Sequence, residues 1–285
     1  MSTYALDAVF RPESVAVVGA SPRERSVGRA VVRNLRQAGF AGPVGLVNPK
    51  HRRIDGVAAV ARLADLPFRP DLVVVSTPAE TVPAVIAQAC KAGARAAVVI
   101  TAGLGQGPGS LLEQLREISR QHGLRIVGPN GLGLMAPHVG LNVSFAAHSP
   151  LPGDLALVSQ SGAIAAGLVE WGRARSIGFS AVVSLGDALD VDFGDLLDWF
   201  AQDSRTRAIL LYIESIGDAR KFMSAARAAA RAKPVVVVKS GRHAQGARAA
   251  ATHTGALAGA DAVYDAAFRR AGLLRVLALD ELFAA

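Results

Sequence analysis

Few side chains in this 285-residue sequence combine the type and setting that covalent or acid–base chemistry needs. His253 stands in THTGALAG (252–259), after an unpatterned Arg- and Ala-rich stretch (241–251) and before small residues that lead into a helical pattern. Glu214 ends the apolar run AILLYIE (208–214). A carboxylate on one imidazole nitrogen fixes the tautomer and makes the other nitrogen more nucleophilic. A loop histidine so held, facing a helix amino terminus, has what a phosphoryl carrier needs, because unsatisfied N–H groups and the helix dipole favour anions. SQSGA (159–163) offers such a terminus through Ser159, Gln160, Ser161 and Gly162. Helix capping alone accounts equally for the serines, and a lone loop histidine is most often a surface residue. Spacing leaves open whether these parts meet. His51, His122, His138, His148 and His243 have no metal-ligand spacing, and no metal site is expected. The sequence has neither a G-x-S-x-G nor a Walker A motif.

A second group of candidates lies in the N-terminal half, in loops that follow apolar runs. GASPRERSVG (19–28) follows VAVVG and leads into a helical pattern near Val27 and Gly28. Its glycines leave the backbone open to a phosphate, and Arg23 and Arg25 add charge. The spacing departs from G-x-G-x-x-G, which disfavours NAD. After the second run comes NPKHRR (48–53), where Lys50, Arg52 and Arg53 gather in place of an acidic ribose-binder, a pattern suited to an extra phosphate on a ribose. STPAE (76–80) and TAGLGQGPG (101–109) follow the third and fourth runs. Taken together, the four loops suggest one nucleotide-like ligand across a crevice, with ordinary strand–helix turns as the alternative.

The elements that must position these loops are legible from periodicity. VAVVG, VGLVN, LVVVS, AAVVI and LRIVG are continuous apolar runs of strand length separated by helical stretches. Such runs suit parallel strands covered on both faces, hence a doubly wound α/β domain. Residues 129–153 break the rhythm with Gly, Pro and Asn and read as a hairpin and linker. The alternation restarts with LALVS, FSAVVS, AILLYIE and PVVVVKS, predicting a second parallel α/β domain with a final helix over about 258–271. The expected boundaries are 1–129, 130–153 and 154–285.

Composition bounds the rest. The chain is 51% hydrophobic with a single cysteine, Cys90, so no internal disulfide can form, which fits a reducing cytoplasmic setting. No apolar run is long enough to span a membrane, and no signal peptide is expected. The net charge of +8 is spread over helix surfaces with few aromatics between, which argues against nucleic acid.

FRPESVAVVGAS, GPVGLVNPK, GPNGLG, LVSQSGAIAAG, SLGDALDVDFGDLLD, LLYIES, KPVVVVKSGR and THTGALAG occur in this order over nearly the whole chain. As a set they resemble the NDP-forming acyl-CoA synthetases, the superfamily of succinyl-CoA synthetase, and most closely the α part of ADP-forming acetate–CoA ligase. The resemblance implies a CoA-binding Rossmann-like domain followed by a flavodoxin-like ligase domain. It implies phosphorylation of His253, a hydrogen bond from its ring N–H to the Glu214 carboxylate, and stabilisation of the phosphohistidine by the helix that begins at Ser159, Gln160, Ser161 and Gly162. It implies CoA along Gly19, Ala20, Ser21, Val27, Gly28, Lys50, Ser76, Thr77, Pro78 and Gly103, with Asn130 near the thiol end. The implied reaction is acyl-CoA + phosphate + NDP ⇌ acid + CoA + NTP, with a small carboxylic acid as substrate. ADP or ATP with Mg would be handled by an ATP-grasp β subunit or fused domain, which this sequence lacks, in a hetero- or homo-oligomer. Asp187 stands where acetate–CoA ligases more often have Asn. That departure resembles the synthetase-like part of fused lysine acetyltransferases, and implies as the alternative a regulatory module that senses CoA or acyl-CoA beside a GNAT domain.

Overall fold

The computed structural model describes residues 3–241 and 261–283. The first unit has strands β1 (Val15–Val18), β2 (Val44–Val47), β3 (Arg53–Ile54), β4 (Val57–Val60), β5 (Leu72–Val75), β6 (Ala96–Val99) and β7 (Arg125–Val127). Its main helices are α2 (Val27–Gln37), α3 (Val82–Lys91) and α4 (Leu111–His122), after a single turn, α1 (Asp7–Phe10). The strand order is β3-β4-β2-β1-β5-β6-β7, parallel except for the β3–β4 hairpin. All four residues of β1, β5 and β6 are buried, as expected where helices cover both faces. The chain leaves β1 first toward β2 and later returns to its other side as β5, so a topological switch point lies between β1 and β5.

The β3–β4 hairpin, absent from the sequence reading, turns through Asp55 and Gly56 at φ of 47° and 81°. Asp-Gly is the favoured pair for a two-residue turn with both central residues at positive φ. Between β5 and α3, residues 79–81 form a tight 3-10 turn, and α3 begins at Val82.

The second unit has β8 (Gly133–Ala136), β9 (Leu141–Ser144), β10 (Leu151–Ser159), β11 (Gly178–Ser184), β12 (Ala208–Ile213), β13 (Val235–Lys239) and β14 (Leu274–Val276). Helices α5 (Gly162–Ala174), α6 (Phe193–Gln202), α7 (Ala219–Ala232) and α8 (Asp261–Ala271) cover it. The order β14-β13-β12-β10-β11 is the flavodoxin arrangement, with its switch point between β10 and β12. The sheet is mixed. The segment read as hairpin and linker forms β8 and β9, which add antiparallel to the β11 edge. Gly131 allows this approach, since a Cβ there would lie 2.5 Å from the Ser184 carbonyl oxygen.

One apolar cluster runs through both units, so they share a core. Asn34, buried on α2, donates through Nδ2 to the carbonyls of Ser144 (2.9 Å) and Ala146 (2.8 Å). Phe10 stacks on Trp199 with ring centroids 5.2 Å apart. Arg125 of β7 reaches Asp190 at 3.0 Å and Asp195 of α6 at 3.2 Å. Lys221 of α7 reaches the same Asp195 at 2.6 Å. Burial pushes the Asp195 carboxyl up, against the Lys221 hydrogen bond and the Arg125 charge. Burial works against the Lys221 ammonium, but hydrogen bonds to Asp195 and Asp192 outweigh it and hold its pKa above the ordinary lysine value.

Candidate functional site between two switch points

At the first switch point the chain leaves β1 through Gly19 at φ 93°, where a Cβ would lie 2.8 Å from the Ser76 backbone. A Cβ on Gly28 would lie 2.0 Å from the Gly19 carbonyl oxygen, so α2 begins directly on this turn. Ser26 caps α2 by accepting from the Arg29 N–H, and the Ser21 hydroxyl accepts from the Arg23 N–H. Asn48 is spent on the backbone. Its Nδ2 donates to the Ala20 carbonyl at 2.7 Å, and its Oδ1 accepts from the N–H groups of Lys50 (2.7 Å) and His51 (3.1 Å). That ties the basic loop to the β1 turn and leaves the Lys50 side chain in solvent. Thr101 Oγ1 donates to the Thr77 carbonyl at 2.7 Å, joining the loops after β5 and β6. The Pro78 carbonyl accepts from the Thr81 hydroxyl at 2.7 Å. Gly103 has φ 80°, and a Cβ there would meet nothing within 4 Å, so backbone conformation rather than crowding calls for glycine.

From this point a cavity of about 650 Å³ runs to the second unit. Val27, Ser76, Thr77 and Asn130 line it, and so does Gly162 at the start of α5. Gly19, Ala20, Ser21, Gly28, Lys50, Pro78 and Gly103 stand outside its lining, the first four forming the turn beside it. Thr101, Leu132, Phe145, Ala163 and Ala166 also line it and were not singled out from sequence. Phe145, in the segment read as hairpin and linker, is a large apolar side chain left 40% exposed just past β9, a signal that the segment serves a site.

At the second switch point β10 ends in Ser159. The Ser159 hydroxyl accepts from the Ser161 N–H (3.1 Å) and donates to the Ser161 carbonyl (2.8 Å), and the Ser161 hydroxyl caps α5 on the Ile164 N–H (3.3 Å). Both hydroxyls therefore shape the turn, and the open N–H groups of the first turn of α5 are what remains for an anion. Gln160 Oε1 accepts from the N–H groups of Glu214 (2.6 Å) and Ser215 (2.9 Å), which fastens the phosphate-loop candidate to the end of β12. Glu214 is buried there. In the neighbouring strand Lys239 pairs with Ile213, and its ammonium donates to the Ser240 carbonyl and lies 4.6 Å from the Tyr264 ring centroid. Burial pulls the Lys239 pKa down, against the charges of Asp261 and Glu214. His253 lies outside the described residues.

Asn130 links the two points. It has φ 63°, its N–H donates to the Thr101 carbonyl at 3.0 Å, and its Nδ2 donates to Asp187 Oδ1 at 3.1 Å. The molecule is thus a Rossmann-type domain and a flavodoxin-type domain sharing one crevice, with the loops after β5 and β6 at one end and the amino end of α5 at the other.

Comparison with known proteins gives the same division. The family described as "CoA binding domain" matches residues 13–137, and "Succinyl-CoA ligase like flavodoxin domain" matches residues 152–285. The chain is 41% identical to "Acetate--CoA ligase [ADP-forming] I subunit alpha" of Pyrococcus furiosus, over 98% of this chain and 62% of that subunit. It is 37% identical to "4-hydroxybutyrate--CoA ligase [ADP-forming]" of Nitrosopumilus maritimus, over 96% of this chain and 40% of that protein. Among solved structures, the "dinucleotide forming Acetyl-coenzyme A synthetase 1 in complex with phosphate and ADP" of Ca. Korarchaeum cryptofilum superposes with a TM-score of 0.93 at 38% identity, covering 99% of this chain and 61% of that one. The chain belongs to the ADP-forming acyl-CoA synthetase family. It spans about six-tenths of the α subunit and about four-tenths of the longer relative.

Proposed function

We propose that this chain is the CoA-binding and phosphohistidine-carrying part of an NDP-forming acyl-CoA ligase, relaying phosphate between an acyl phosphate and a nucleotide. The observation that carries this reading is the Gln160 bridge. One side chain ties the turn before α5 to the Glu214 backbone, and Gly162, two residues on, lines the cavity that starts at the first switch point. CoA would enter with its phosphates over the Gly19 to Ser21 turn and the start of α2, its ribose phosphate toward Lys50, and its pantetheine arm along Thr77, Thr101 and Asn130. Phosphate attacks the thioester carbonyl and CoA leaves as the thiolate. The acyl phosphate then passes its phosphoryl group to His253 and leaves as the acid. Glu214 would orient the imidazole. The N–H groups opening α5, already aligned, would stabilise charge on the phosphoryl oxygens.

The nucleotide step belongs to an ATP-grasp β subunit or fused domain, which would bring Mg-ADP. No group of three metal-ligating side chains is found among the described residues. A cytoplasmic location fits this chemistry, and among the described residues no helix is long and apolar enough to cross a membrane.

The first half of the cycle needs no nucleotide, and that makes it testable on this chain. Incubation with acetyl-CoA and radiolabelled phosphate should place acid-labile, base-stable label on the protein, released CoA should match it, and His253→Ala should abolish it. Label that persists in His253→Ala, or its absence in a parent chain that binds CoA, overturns the relay.

A further inference from the structure

A second cavity, of about 420 Å³, adjoins the site. It lies between the glycine-rich loop after β6, the first turns of α4 and the carboxyl ends of β10, β11 and β12. Its walls include Gln106, Glu113, Arg116, Gln160, Asp187 and Ser215. Asn130 lines the first cavity and Asp187 this one, so the 3.1 Å hydrogen bond between them crosses the partition. Likewise Gly162 opens on the first cavity and Gln160, two residues earlier, on the second. A thioester brought along the first cavity to Asn130 and the start of α5 thus has this space ahead of it, on the side away from its pantetheine arm.

We propose that this second cavity receives the acyl chain, and that it selects small acids carrying a hydroxyl on that chain over plain alkyl acids of the same length. The inference rests on the ligase reading and adds the substrate class. A space of 420 Å³ holds about 14 waters at ~30 Å³ each, so a chain of four or five heavy atoms fits with water to spare. The wall is polar. Arg116 and Ser215 are donors, and Asp187 and Glu113, which accept from Asn130 Nδ2 (3.1 Å) and the Gly109 N–H (2.6 Å), are acceptors. A methylene chain there displaces water from these groups and returns no hydrogen bond, whereas a hydroxyl both donates and accepts. One arginine against two carboxylates leaves the wall net negative, which repels a second carboxylate and so disfavours dicarboxylic acids. Polar sites built this way reject an analogue that lacks the hydroxyl more strongly than apolar pockets reject a missing methylene.

The test uses the full chain and radiolabelled phosphate with three thioesters of matched length: 4-hydroxybutyryl-CoA, butyryl-CoA and succinyl-CoA. The expected kcat/KM for protein labelling is at least about tenfold higher for the hydroxyacyl thioester than for butyryl-CoA, with succinyl-CoA slowest. Arg116→Ala should narrow the first ratio to roughly threefold or less while leaving the Kd for CoA unchanged, and Ser215→Ala should narrow it in the same direction. Equal labelling by hydroxybutyryl- and butyryl-CoA, or faster labelling by succinyl-CoA, overturns the selectivity and leaves the relay standing. A full ratio retained in both variants overturns the assignment of this cavity. Failure of every thioester, acetyl-CoA included, removes the relay and this inference with it.

Discussion

Gln160 has two jobs, one through its backbone and one through its side chain. Its backbone begins the turn that opens α5, and its Oε1 accepts two N–H groups from the end of β12. Glu214 is therefore fixed at the end of β12 through its main chain. In the proposed role, Glu214→Gln keeps the fold and the CoA crevice but loses the charge that favours imidazole nucleophilicity. The expected outcome is a fall in the labelling rate of about 10²-fold, in the range for a positioned acid–base group, with the Kd for CoA within experimental error of the parent. Parallel loss of labelling and CoA affinity contradicts the role. At this scale the types Glu214, Ser159, Ser161 and Gly162 were legible in the sequence. The uses of Ser159 and Asn48 were not, because a hydroxyl or amide committed to its own turn looks in sequence like one offered to a ligand.

The elements that join the two units meet at Asp195, in the first turn of α6, between Arg125 of β7 and Lys221 of α7. Lys221 has its folded pKa raised above the ordinary lysine value. A raised lysine contributes stability that is fully present below the ordinary value and is lost as pH climbs through the folded one. Lys221→Met should lower the stability of the chain by roughly 1–3 kcal/mol near neutral pH, since Asp195 keeps Arg125 but loses one hydrogen bond. The difference between parent and variant in urea unfolding should hold steady to mildly alkaline pH and shrink at strongly alkaline pH. A difference that shrinks on acidification from neutral instead would show that the ammonium is not its source. The same elements show what periodicity can and cannot give. Buried parallel strands announce themselves as continuous β-branched runs. The β8–β9 pair, on an edge, carries no such mark; the segment reads as a hairpin and linker, and what that reading lacks is the pairing of β8 with β11 and the place of β9 beside the crevice.

Across the whole molecule, two switch points face one crevice, and the shared apolar cluster argues for one cooperative body rather than two tethered domains. If the relay holds, this body completes the thioester half of the cycle and needs a second one for the nucleotide half. Labelled ATP alone should therefore leave the isolated chain unmarked, and adding the matching ATP-grasp subunit or domain should restore acid-labile label on His253. ATP labelling by the isolated chain would place the nucleotide site within it and contradict this division.

The sequence by itself determined the two doubly wound units, the loops that leave their strands, and the family. Strand runs, helix caps and loop motifs are local patterns, and local patterns survive being written as a string. Only the tertiary structure decided that the loops from the two halves open on one crevice, that Asn130 with Asp187 divides it, and that Gln160 closes on Glu214 some fifty residues away. Those contacts depend on strand order and on the packing of α2 against β9, which bring distant positions together without leaving any trace in the spacing of either.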